Sequence, residues 1–245
     1  MKFGHIFLTI VIILNSFYLS AETIGIADNH APISVHGDHM HKKNEFMFSY
    51  RKSHMLMSQV KSGKTDMQID EIMSAPNYAS DGSGTYMNAP TEMTMDMHMF
   101  GAMYAPSDSI TLSLMSNYSR KEMTQQRMAM SGSARFDVKS SGLGDTKITA
   151  LIKIITNEEV KSHLGVGLSI PTGSIDQRDS TPASSDTRLG YGMQNSSGTF
   201  DPYVFSSNTR DFGRVKVGGQ IYFKMPSSGK NVKGYQYGDT FITTF

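Results

Sequence analysis

Cysteine is absent from the 245 residues, which excludes disulfides and Cys-based zinc sites and fits a protein exported from a bacterial cell. An excess of either charge is also lacking: 23 Lys and Arg against 22 Asp and Glu leave a formal charge of +1. No basic field of the kind that draws nucleic acid results, and nucleic acid is not an expected partner. Beyond residue 21 no apolar run approaches the ~20 residues of a spanning helix; the best, residues 148–155, is interrupted by Lys153. A mature chain of this kind enters a membrane only through strands. Tryptophan is missing as well, although membrane barrels use it at their interfaces; 11 Tyr and 13 Phe are there to substitute. No motif such as G-x-S-x-G frames a serine nucleophile, so an enzyme is not expected.

What is present begins with a short basic start, an apolar run over residues 6–19 and then Ser20, Ala21 and Glu22, the layout of a cleaved secretory signal peptide over residues 1–21. Residues 22–44 read as a polar periplasmic arm, and residues 45–245 as one β-domain.

The stretch 91–104 organises that domain. Met93, Met95, Met97, Met99 and Met103 recur every second residue, with Gly101 in the gap and Thr94, Asp96 and His98 between. A step of two residues scatters side chains around a helix but gathers them on one face of a strand. The expectation is a strand whose methionines form an apolar, lipid-facing surface and whose Thr94, Asp96 and His98 point inward. A copper(I) ladder of thioethers is the sharper alternative. It requires the opposite orientation, with Asp96 in lipid at considerable cost. Met67, Met73, Met87, Met123, Met128 and Met130, expected in loops, escape that objection.

Further alternating runs follow over residues 44–55, with Phe46, Phe48 and Tyr50 on one face, and over 109–119, 144–155, 160–170, 198–207, 214–225 and 235–245. The connections alternate long, short, long, short, long, short, medium; the long ones cover residues 57–90, 120–139 and 171–197. Outer-membrane barrels have long external loops and short periplasmic turns, so the fold class expected is an all-β, antiparallel transmembrane barrel of the outer-membrane type with about eight strands. A soluble β-sandwich is the competing architecture.

Four phrases, residues 27–51, 91–106, 140–152 (with GLGD at 142–145) and 168–179 (with IPTG at 170–173), together resemble a family of bacterial outer-membrane proteins labelled as transporters of the MetA pathway of phenol degradation. The resemblance implies an outer-membrane barrel passing small hydrophobic or aromatic compounds. Members of that family usually continue beyond the GYQYGDTF phrase at 234–241, so the chain reads either as an eight-stranded barrel or, the reading favoured, as part of a wider one.

Two candidate sites emerge. The expected barrel lining is Arg51, Asp96, His98, Lys147, Lys161, His163, Lys216 and Lys224, mostly cationic and suited to electron-rich solutes. In the arm, His30, His36, Asp38, His39, Met40 and His41 are donor types that hold copper or zinc, Met favouring copper, although their spacing matches no defined zinc motif. The expected function is therefore passive passage of small solutes across the outer membrane, with lipid and solute as partners and no obligatory cofactor. A copper-handling protein and a structural barrel without flux are the alternatives.

Overall fold

Alternating side chains build strands, and strands make up 63% of the structure, a computed structural model that describes residues 35–77, 83–129, 132–157, 159–226 and 229–245. The expected signal peptide, His30 and Met130 lie outside the described residues. The main sheet contains β1 (Phe46–Ser58), β4 (Asn88–Ser107), β5 (Ile110–Ala129), β6 (Gly132–Leu143), β7 (Thr146–Thr156), β8 (Val160–Ile170), β11 (Asp201–Asp211), β12 (Lys216–Lys224) and β13 (Thr240–Thr244). All pairings are antiparallel, in the order β1-β4-β5-β7-β8-β11-β12-β13. The other half of β5 pairs with β6, so β6 and β7 lie end to end along one neighbour and share one position in the sheet. The sheet curls into an open half-barrel.

Antiparallel pairing puts directly opposite residues on the same face. One register row crosses all eight positions: Phe46, Tyr104, Leu112, Ala150, Val166, Val204, Phe223 and Phe241. Every member is apolar or aromatic, and this is the convex, outward face, where Phe46, Leu112, Val166 and Phe241 are 51%, 45%, 47% and 66% exposed. The neighbouring row carries Phe48, Ala102, Leu114, Ile148 and Leu168. The concave face holds the core: Met103, Leu151, Tyr203, Phe205 and Tyr222 are buried together, with Met40 and Met47 packed against them.

Short turns join β4 to β5, β7 to β8 and β11 to β12 at one end of the sheet; the longer connections lie at the other. Two expected loops carry structure of their own. Residues 120–139 are not a loop: β5 and β6 run on as a paired hairpin through Ala129 and Gly132. Charged residues at 120, 121, 122, 127, 135, 137 and 139 hid that alternation. The connection from β1 to β4 contains a small hairpin, β2 (Val60–Ser62) with β3 (Thr65–Met67), and the helix α1 (Ile69–Ser74), which buries Ile72 and Met73 against Ala89. α1 opens with a capping box between Gln68 and Glu71. The connection from β8 to β11 contains the hairpin β9 (Arg178–Thr181) and β10 (Ser184–Arg188).

The GLGD and IPTG phrases meet at one strand junction. The Thr172 hydroxyl donates to the Gly144 carbonyl at 2.9 Å, and a Cβ on Gly173 would lie 2.6 Å from the Leu143 carbonyl oxygen. Asp145 accepts from the Ser197 backbone N–H at 2.9 Å. These glycines allow close backbone approach where β6 gives way to β7.

On β8, Gly165 and Gly167 lie directly opposite Phe205 and Tyr203 of β11, whose rings fold over them. A Cβ on Gly165 would overlap the buried Phe205 ring, so Gly165→Ala is expected to cost about 1–3 kcal/mol through overpacking. Gly190→Ala, with open space around the added carbon, serves as control; urea unfolding midpoints of the two variants check this.

Candidate functional site: the filled concave face

The described part of the arm, from Val35 to β1, does not hang free. Residues 35–41 run across the concave face, held by partners distant in sequence. The His36 backbone N–H donates to Gln220 Oε1 at 3.0 Å, and Gln220 Nε2 donates back to the His36 carbonyl at 2.6 Å. One glutamine side chain thus offers the arm the paired contacts a strand backbone would. His163 Nε2 sits 2.6 Å from the Gly37 carbonyl, so that nitrogen carries the proton. The His41 N–H donates to the Thr111 hydroxyl at 3.1 Å, and the Asn44 N–H to the Ala105 carbonyl at 2.7 Å. Gly37 has φ +51°, and a Cβ there would come within 2.9 Å of Leu151; only glycine fits this place without strain.

Behind the arm, Lys147 Nζ lies 5.9 Å from the ring centres of both Tyr203 and Tyr222. The Thr149 hydroxyl and Tyr203 OH are 2.6 Å apart. Asp201, fully buried, accepts from the Thr199 hydroxyl at 2.6 Å and has Lys224 Nζ at 3.5 Å. The cavity left between His36, Lys147, Leu151 and Tyr203 measures about 20 Å³, enough for little more than one water.

The opposite half of the concave face is covered by the connection between β10 and β11. Lys121 Nζ donates to the carbonyls of Gly192 and Gln194 at 3.0 and 2.6 Å, and the Ser140 hydroxyl to that of Met193 at 2.7 Å. Leu189 and Met193 pack on Val138, with Met93 and Met123 beside them.

Of the expected lining residues, Arg51, Lys147, His163 and Lys224 are on the concave face, and Lys161 and Lys216 share its parity near the short turns, both exposed. Asp96 and His98 are on the convex face, which corrects the expected orientation of β4. Pairing with β1 decides it: Phe46, Phe48 and Tyr50 face outward and are opposed by Tyr104, Ala102 and Phe100, so even-numbered residues of β4 are outside and its methionines inside. The cost foreseen for an outward Asp96 is met by position and partners. Asp96 lies beyond the apolar rows with His54 Nδ1 at 2.9 Å, and Tyr50 OH is 2.7 Å from His98 Nδ1.

Among the described residues no three His, Asp or Glu side chains converge as a metal group. His36 faces the Tyr222 ring at 4.9 Å, Asp38 lies 3.0 Å from His39, His39 meets the His41 ring edge-on at 4.9 Å, and Met40 packs on the core. Of the described donors, His36 and Met40 are turned to the sheet, while Asp38, His39 and His41 lie against one another. Sequence reasoning passed over Gln220, Tyr203, Asp201 and Lys121 as site residues. Gln220 and Lys121 were visible as polar residues at inward-facing positions once the register was known. No protein-family model matches the chain and no curated protein matches it, so function is read from the fold and its two faces.

Burial, with Lys147 and Arg51 nearby, pushes the His36 imidazole down from 6.5 to about 4. Between those values the detached arm binds a proton that the docked arm does not, so docking weakens as pH falls from 6.5 toward 4, by up to roughly 3 kcal/mol. Protease cleavage within the arm should therefore rise on acidification, and His36→Phe should flatten the profile. Separately, Lys121→Ala leaves two carbonyls without their ammonium partner and is expected to loosen the covering segment by about 1–3 kcal/mol. Faster limited proteolysis near residues 189–197 checks this.

Proposed function

We propose that the sheet forms the wall of an outer-membrane β-barrel that gives passive passage to small hydrophobic or aromatic solutes, with the N-terminal arm as the element that restricts it. The observation that carries this reading is the apolar register row that crosses all eight strand positions on the convex face. An exposed apolar surface of that continuity favours association with lipid over water. Its aromatic margin, with Phe46 stacked on Tyr104 at 4.3 Å and Tyr50 beside Phe100 at 5.4 Å, supplies the interfacial rings that Trp would otherwise provide.

The concave face supports the second half of the reading. It combines Lys147, Lys224 and Arg51 with aromatic rings, a lining that attracts electron-rich rings through cation–π contact. Both edges of the sheet, β1 and β13, must be covered in lipid, because open backbone N–H and C=O groups there are costly. Barrel closure supplies that cover. The end with short turns, where the arm enters, is then periplasmic, and the extended β5–β6 hairpin points outward.

Electrophoresis in dodecyl sulfate with and without boiling tests the wall. A heat-dependent mobility shift of protein from the outer-membrane fraction is expected, whereas an unshifted band and soluble periplasmic protein would overturn the proposal. Planar-bilayer conductance then tests passage: deleting residues 35–43 should raise it over the full chain. Silence from both proteins would leave a barrel without flux.

A further inference from the structure

All eight methionines of β1 and β4 lie on the concave face: Met47, Met55 and Met57 on β1, and Met93, Met95, Met97, Met99 and Met103 on β4. The convex face of the same two strands takes its apolar character from Phe, Tyr, Leu and Ala instead. If methionine served only as flexible apolar filler, the exposed face would be equally open to it. The segregation selects thioethers for the inside.

Four of them form a block. Met55 is directly opposite Met95, and Met57 is directly opposite Met93. Opposed Cβ atoms lie roughly 5 Å apart, and residues two apart along a strand roughly 7 Å. Methionine has three rotatable bonds, so four sulfurs from such a block can converge on a single ion. Met55 and Met57 are each 37% exposed, so the block is open to solvent, while Met93 and Met95 are half-buried and supply its floor. Neither carboxylate nor imidazole shares this face nearby: the inward neighbours are Ser53, Thr91 and Met97, and on β5 Lys121 and Met123. That donor set is wrong for calcium, magnesium or zinc and right for a soft ion. Lys121, opposite Met95, is tied to the Gly192 and Gln194 carbonyls, and its positive charge disfavours a divalent ion more than a univalent one.

We propose that Met55, Met57, Met93 and Met95 bind a soft univalent cation, Cu(I) or Ag(I), on the concave face. The site is separate from the arm and does not require that solutes pass.

The test uses the full folded chain in detergent with Ag(I) as probe, and with Cu(I) presented anaerobically against a chromophoric chelator. About one equivalent should bind, with sulfur alone in the first coordination shell by X-ray absorption. The double variants Met55→Leu/Met57→Leu and Met93→Leu/Met95→Leu should each weaken binding at least about tenfold, while Met47→Leu, on the same face but in the core, should not. No binding by the wild-type chain, or wild-type affinity in both double variants, overturns the proposal. If a double variant fails to fold, the wild-type chain still decides. Ag(I) should slow peroxide conversion of these four methionines to sulfoxide more than that of Met87 or Met225, as read by mass spectrometry, and uniform oxidation with and without Ag(I) overturns the site.

Discussion

Antiparallel pairing transmits a choice of face from one strand to the next, and this half-barrel depends on that transmission. Once Phe46, Phe48 and Tyr50 turn outward on β1, register obliges Tyr104, Ala102 and Phe100 of β4 to turn outward with them, then Leu112 and Leu114 of β5, and so on to Phe241. A slip of one residue between β4 and β5 would invert every later strand, placing the row from Leu112 to Val204 inside and Leu151, Tyr203 and Phe205 outside. The two faces are therefore one property of the sheet. Its bulges, at residues 90–92, 104–107 and 153–155, lie close to strand ends, where they leave that parity intact over the central rows.

The all-β class and most strand positions were legible because alternation is a local signal. The orientation of β4 was not legible from β4 alone. Methionine and threonine are both moderate in polarity, so the strand's own pattern leaves its inside ambiguous, and Asp96 and His98 tipped the reading the wrong way. The deciding signal sat in Phe100 and Tyr104, which share parity with those two residues and belong with the aromatic face of β1. Pairing partners, which sequence periodicity does not name, were needed to use it. The β5–β6 hairpin was missed for a related reason: charge on both faces of a strand hides its period.

The arm shows a different limit. Its composition, rich in His, Asp and Met, points toward metal chemistry when read as a free segment. Folded, the backbone of the described part is held at long range: the His36 N–H meets Gln220 across 184 positions of the chain, and His163 holds the Gly37 carbonyl across 126. Nothing local announces such contacts. The methionines followed the opposite course, for a chemistry set aside on the basis of an inverted face regained its physical basis when the face was corrected.

Because the arm is fastened to Thr111 and Ala105 on one flank and to Gln220 on the other, it lies across the curl as a chord lies across an arc. A chord fixes the radius of its arc only after both ends exist. Gln220 belongs to β12 and follows His36 by 184 positions of the chain. Every sheet position between them must be in place before the tie can close. Docking of the arm thus rests on contacts far apart in sequence, the kind that close slowly, and the His36–Gln220 pair ties the two flanks of the curl at a fixed span.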